Sequence, residues 1–427
     1  MTATTIDHVI GRRVWDSRGR PTVEAEVRLA GGAAGRAIAP AGASTGSGEA
    51  LDLRDGGADF GGHDVRRAVA NVRGPLAGAL AGADAADQAV VDRLIVECDG
   101  TRAKSVLGGN ACVAVSMAAA QAAAAAAGVP LWRHILGHAP VVLPLPEIQI
   151  FGGGAHAGRR IDIQDLMVVC PGAGSVAAAL DWTAEIYRAA GELMAAAGRR
   201  AGVADEGGHW PDFSSNDEAL EMLVRAIERA GLTPGDGVGI ALDIAASEFG
   251  AAGRYRLALE GRELDSDGLI EMLLGWLDRY PIWSLEDPLA EDDEAGFARL
   301  MAAVGDRVQV VGDDLLVSDA TRVTRAASEG SVNAVLLKVN QRGTVTETLA
   351  AWHAARAAGF DGIVSARSGE TEDTCVVDLA VGWGAGQLKV GSIARGERTA
   401  KWNALLRIED ALTGDRRALA RPGALPT

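Results

Sequence analysis

The feature that most constrains this chain is an alternation that begins near residue 238 and persists almost to its end. Short apolar runs ("VGIALDIA", "IWSLEDP", "VQVVGDDLL", "AVLLKVN", "GIVSARS" and "QLKVGSIA") are separated by helical stretches such as "GLIEMLLGWLDRY", "EAGFARLMAAV" and "TVTETLAAWHAARAAG". A strand that is apolar throughout is buried on both faces, and strands that recur after helices run parallel. So many units in succession predict a (β/α)8 barrel rather than an open sheet.

The polar residues within these runs are placed at one end. Asp243, Glu286, Asp313, Lys338, Arg367 and Lys389 each fall at or near the C-terminal end of a strand. In a barrel those ends converge on one mouth, where active sites are built. Three carboxylates there offer the hard oxygen donors that Mg²⁺ prefers, although any one of them alone could be a loop acid or a helix cap. Lys338 ends an apolar strand, so burial and the neighbouring Lys389 favour a neutral amine that can act as a base. The alternative is a plain salt bridge to one of the acids. A base beside Mg²⁺ suggests abstraction of a proton α to a carboxylate. "RSG", Arg367 to Gly369, supplies a guanidinium, a hydroxyl and backbone N–H groups near a helix start, which suit a phosphate or phosphonate. "FGGGAHAGRR" lacks the lysine of a P-loop and the element order of a dinucleotide fold, and reads as a mobile loop presenting His156.

Ahead of the alternation the rhythm differs, and 427 residues are enough for two domains. Residues 1–138 read as an α+β unit, with strands at "TVEAEVRLA" and "GRAIAP" and alanine-rich helices from about Asp64 to Gly128. "PAGASTGSGEALDLRDGG" is too long for a simple turn. "GHAPVVLPLPEIQ", with three prolines, reads as the linker to a barrel domain over 139–427. A formal charge of −16 argues against nucleic acid or an anionic membrane as partner, while leaving a small anionic substrate open. The four cysteines are far apart, which predicts free thiols in a reducing cytoplasm rather than structural zinc. No secretory pattern opens the chain, and "ACVAVSMAAAQAAAAAAG" is expected to be a buried helix rather than a membrane span.

Taken together the segments resemble the enolase family over nearly the whole chain. They are "VWDSRGRPTVEAEV", "PAGASTGSGEALDLRDG", "DGTRAKSVLGGNA", "GGGAHAG", "DEGG", "LDIAASEF", "LEDPLAEDD", "GDDLLVSD", "LLKVNQRGT", "RSGETEDT" and "ARGERTAKWNALLRIE". The resemblance implies an N-terminal α+β cap on a modified barrel. It also implies two Mg²⁺ per active site, a homodimer or homo-octamer, and a small phosphorylated or phosphonate carboxylic acid as substrate. Carried over residue by residue, Asp243, Glu286 and Asp313 hold the first Mg²⁺ and Ser44 helps hold the second. Lys338 abstracts the proton, Lys389 contacts the substrate carboxylate, Arg367 and Ser368 grip the phosphate, and Gln164 touches substrate. Glu206 helps the hydroxyl leave, with Asp165 and His156 beside it.

The chain also departs from the family's pattern. Ala366 stands where enolases carry histidine, Asp165 where they carry glutamate, Ala41 for serine, Gly152 for asparagine and Ala204 for glycine. These changes gather where the departing hydroxyl and the closing loops are managed, and Ala366 frees volume beside the anion. They imply a diverged paralogue, such as carboxyphosphonoenolpyruvate synthase of phosphonate antibiotic pathways, acting through an enolate-type intermediate. The alternatives are a genuine enolase, dehydrating 2-phosphoglycerate to phosphoenolpyruvate, and a catalytically dead enolase-like binding protein.

Overall fold

The structure is a computed structural model that describes residues 2–412 and 419–423. Strands β1 (Ile6–Trp15), β2 (Pro21–Leu29) and β3 (Ala34–Ile38) form an antiparallel sheet in that order. The alanine-rich helix Gly109–Ala126 lies across it. A Cβ added at Gly35 of β3 would come within 2.1 Å of the Ala122 nitrogen, so only glycine there lets the helix approach this closely. This helix is long and apolar enough to cross a membrane, yet it is mostly buried inside the protein, as its residue pattern predicts.

The second region begins with β4 (Leu145–Gly152), β5 (Asp165–Val169) and β6 (Gly239–Asp243). A small separate sheet follows, β7 (Gly250–Ala251), β8 (Arg254–Leu257) and β9 (Arg262–Asp265). Then come β10 (Ile282–Glu286), β11 (Gln309–Gly312), β12 (Ala334–Leu337), β13 (Asp361–Ser365) and β14 (Gln387–Ser392). Eight of these strands close a barrel in the order β10-β11-β12-β13-β14-β4-β5-β6, so the predicted fold class is observed. Along β11 to β13 alternate residues divide between two clusters. Val310, Val335, Leu337 and Val364 join the large core, while Val311, Ala334, Leu336 and Ile363 form a separate one. Strands apolar on both faces require such a division. Helices that follow the strands start at side-chain caps, among them Ser175, Ser215, Asp293, Asp319 and Thr344.

Two findings depart from the sequence reading. The stretch read as a linker runs, from Leu145 onward, into β4, a fully buried barrel strand. Its prolines and its polar Glu147 and Gln149 hid it, because a strand interior normally excludes both. Pro146 is tolerated because the ladder to β5 begins only at Glu147. The second finding is that β5 runs antiparallel to both neighbours, unlike every other strand pair in the barrel. Its first residue rather than its last therefore lies at the mouth, where Asp165 is the register partner of Asp243.

Candidate active site

The strand ends bring the predicted residues to one mouth, in two facing groups. On the lysine side, Lys389 of β14 sits between two acids, its Nζ 2.8 Å from Asp243 Oδ2 and 2.6 Å from Glu286 Oε2. Asp243 and Glu286 are register partners at the ends of β6 and β10. Burial alone would lower the Lys389 pKa, but the charges of Asp243, Glu286 and Asp165 outweigh it and hold the ammonium well above the ordinary lysine range. Glu286 is raised well above the carboxylate range by burial and by the charge of Asp243.

Lys338, the residue after β12, is ion-paired with Asp313, the residue after β11. Gln341 Nε2 donates to the other Asp313 oxygen at 2.8 Å. The neutral Lys338 expected from burial is thus not what the structure shows. Burial does push its pKa down, but the adjoining Asp313 carboxylate more than reverses this, and the pKa is raised. The salt bridge left open by the sequence is the arrangement found. Behind the pair, the Asp313 and Asp314 backbone N–H groups both donate to Asp287, at 2.9 and 2.7 Å. Burial and the Asp313 charge push Asp287 up to about 8.

On the acid side, His156 is not presented on an exposed loop. "GAHA" folds into a short 3-10 turn, Gly154–Ala157, and the imidazole is buried between two carboxylates. Its Nδ1 lies 3.1 Å from Asp165 Oδ1 and its Nε2 3.8 Å from Glu206 Oε1. Burial pulls the His156 pKa down, but Asp165 and Glu206 overcome it and push it up to about 9. Burial would raise Asp165, yet the charge of His156 holds it at about 2. The shortened Asp165 side chain therefore still reaches its histidine.

The glycine-rich loop from the first region closes the mouth. Ala41 and Gly369 exchange backbone hydrogen bonds of 2.9 and 2.8 Å, and Ala43 N donates to Ser368 Oγ at 2.8 Å. Arg367 Nη1 donates to Glu49 Oε2 at 2.9 Å, and its Nη2 to the Ser44 carbonyl, also at 2.9 Å. A Cβ on Gly42 would lie 2.0 Å from Arg367 Nη2, so this close approach requires glycine. Gln164 Nε2 bridges the sides, 3.4 Å from Ser44 Oγ and 3.2 Å from Asp243 Oδ2. The cavity between the two sides, about 20 Å³, is lined by Ser44, His156, Glu206, Lys338, Ala366 and Arg367 among others. Ala366 opens no large chamber beside the guanidinium.

The donor set fits a divalent cation. Glu286 Oε1, Gln164 Oε1 and Asp165 Oδ2 are buried oxygens without a hydrogen-bond partner. Burial first, and then the charge of Asp243, raises Glu286 against the pull of Lys389, so its charged form is under-compensated there. Both conditions favour a hard cation on oxygen ligands. Two groups already have ligand atoms within 4.8 Å of one another, Asp287–Asp313–Asp314 and His156–Asp165–Glu206, whereas Asp243 and Glu286 flank Lys389.

Asp287 and Asp314 escaped the sequence reading, and so did four further residues. Glu49 and Gln341 touch Arg367 and Asp313, and Glu147 and Gln149 lie buried on β4. For the β4 pair a signal existed, polar residues two apart within an apolar run, so that both face the same side of a strand.

Comparison with known proteins accords with this geometry. Residues 6–135 match the family described as the enolase N-terminal domain, and residues 140–420 the enolase C-terminal TIM barrel domain. The chain is 50% identical to the Enolase of Rubrobacter xylanophilus over 410 residues, covering 96% of this chain and 95% of that one.

Proposed function

Because the chain belongs to the enolase family, we propose that it is a working enolase, dehydrating 2-phosphoglycerate to phosphoenolpyruvate with Mg²⁺. The observation that carries this reading is that the departures from the family's pattern leave the site assembled. Asp165, one methylene short, still meets His156 at 3.1 Å, and Glu206 lies on the far side of the same imidazole. The 50% identity to a protein named Enolase supports the same conclusion.

In this reading the two sides divide the reaction. Asp243, Glu286 and Asp313, with Ser44 for a second ion, would hold Mg²⁺, which supplies positive charge against the substrate carboxylate. Lys389 adds a fixed ammonium there. With Asp313 engaged by the cation, the charge that holds Lys338 protonated would be spent and burial would favour the neutral amine that takes the proton from C2, while Gln341 holds the Asp313 carboxylate in place. Arg367 and Ser368 face the phosphate. Glu206 and the His156–Asp165 pair face the departing C3 hydroxyl and deliver the proton it needs. Closure of the 40–49 loop onto Arg367 and Ser368 excludes water from that transfer.

Purified protein with Mg²⁺ and 2-phosphoglycerate should form phosphoenolpyruvate at roughly 1 to 1,000 turnovers per second. Chelation should abolish this activity and fresh Mg²⁺ restore it. The competing reading is the specialised synthase, which Ala366 beside Arg367 suggests but the small cavity there does not support. Negligible dehydration, together with a new phosphorus resonance from phosphoenolpyruvate and cytidylylated phosphonoformate, would replace the enolase reading with that one. Ligand binding without either turnover would mark a binding protein.

A further inference from the structure

Gln149 is fully buried on β4, and its side chain connects three pieces of the acid side. Its Nε2 donates to Asp165 Oδ1, and its Oε1 accepts from the Gly208 N–H at 2.8 Å. A carboxylate on one side and an N–H on the other fix the orientation of the amide, since the flipped form would set oxygen against oxygen. Gly208 lies two residues after Glu206, so the same side chain that holds Asp165 also holds the Glu206 loop. The slot it occupies is cleared by two glycines. A Cβ at Gly208 would come within 2.5 Å of Gln149 Oε1, and one at Gly152 within 3.2 Å of both amide atoms.

The consequence falls on Asp165. Oδ1 accepts from both Gln149 and His156, while Oδ2 is buried without a hydrogen-bond partner, 3.7 Å from Lys389 Nζ. An aspartate this short, with a free lysine-facing oxygen, would gain by rotating towards the ammonium. The Gln149 amide opposes that rotation. We propose that Gln149 is a positioning residue of the dehydration, aiming Asp165 at His156 and fixing the Glu206 loop, and that its length compensates for the short Asp165 side chain. The inference rests on the enolase reading and deepens it.

The test separates the two half-reactions. Exchange of the C2 hydrogen of 2-phosphoglycerate with deuterium oxide reads proton removal by Lys338, and phosphoenolpyruvate formation reads hydroxyl loss. The wild-type chain comes first, and failure to form phosphoenolpyruvate there sinks the enolase reading by itself. In Gln149→Asn the bridge is one methylene too short. Its kcat should fall about ten- to a hundredfold, since misplacement by an ångström costs on that order. KM should stay within about threefold, because ground-state binding is untouched, and C2 exchange should match wild type. Adding Asp165→Glu to Gln149→Asn restores the combined length and should recover most of the loss, whereas Asp165→Glu alone should lower kcat. An unchanged Gln149→Asn enzyme, an equal loss of C2 exchange, or a double variant no better than the single would overturn the proposal. A crystal structure of Gln149→Leu reads the same claim without turnover. Asp165 should swing towards Lys389, and an Asp165 still bonded to His156 would refute it.

Discussion

The lysine side of the site hangs from strand ends that all run the same way, whereas the acid side hangs from a reversed strand, a 3-10 turn and a loop. Lys389, Asp243 and Glu286 are register-paired on the barrel's hydrogen-bond ladder, and Lys338 and Asp313 each follow a laddered strand by one residue. Asp165 also sits on the ladder, opposite Asp243, but the aim of its carboxylate, and with it His156 and the Glu206 loop, depends on side-chain bridges, above all on Gln149. The departures at Asp165, Gly152 and Ala204 all fall on this second side. A group set by the backbone ladder cannot drift without moving a strand. A group set by side-chain bridges can change if its partners change with it, and Gly152 lies beside both Ala204 and Gln149. A Cβ on Gly152 would sit 2.5 Å from that of Ala204.

The largest expected effect breaks the two sides apart. Lys338→Met should lower phosphoenolpyruvate formation and C2 exchange together, by about a thousandfold or more, since general bases contribute on that scale. Glu206→Gln should lower only the first, because it acts after the C2 proton has gone. Rates with 2-phosphoglycerate in deuterium oxide decide the matter, with melting curves to confirm folding. If C2 exchange survives Lys338→Met, the lysine side does not hold the base.

The contrast also explains what could be read in advance. The parallel strands were legible because burial on both faces leaves a continuous apolar run, and a lone charge at the end of such a run stands out. Asp243, Glu286, Lys338 and Lys389 were all visible this way. β4 was not, because it carries Pro146, Glu147 and Gln149 where an apolar run was expected. The reversal of β5 was invisible because side-chain periodicity is the same in either direction. The charge on Lys338 was misjudged for a third reason. Burial can be inferred from an apolar neighbourhood, but the position of Asp313 beside the amine is tertiary geometry.

An intermediate effect lies at the seam between the sides. Glu147 is buried on β4, accepts from Gln387 Nε2 at 3.1 Å, and is the register partner of Lys389. Burial pushes its pKa up from 4.5 to about 7, against the pull of Lys389 and with a further push from Asp243 and Asp165. Between those two pH values the unfolded chain releases a proton that the folded chain keeps. Stability therefore falls as pH rises through this window, and the penalty is complete above it. Glu147→Gln preserves the acceptor and removes the charge. In chelator-containing buffer it should stabilise the fold at pH 8 by at most about 3 kcal/mol relative to pH 5, measured by denaturant unfolding. Equal pH profiles for variant and wild type would place the Glu147 charge in a better-compensated environment than its neighbours suggest.

The smallest expected effect concerns Ala366, and it bears most directly on whether the departures matter. Ala366 is buried at the end of β13, and its N–H donates to the Lys389 carbonyl at 2.9 Å, so its backbone belongs to the ladder that fixes the lysine side. Its side chain faces the cavity shared with His156 and Glu206. If the acid side already holds the groups needed for hydroxyl loss, an added imidazole duplicates a function already present. Ala366→His should then change kcat/KM for 2-phosphoglycerate by less than about tenfold, or roughly 1.4 kcal/mol in activation free energy. A gain of a hundredfold or more would mean that the wild-type acid side is incomplete and that Ala366 is what makes it so. In that event the compact His156–Asp165–Glu206 cluster would serve a different substrate, and the specialised synthase would become the better account of the same residues.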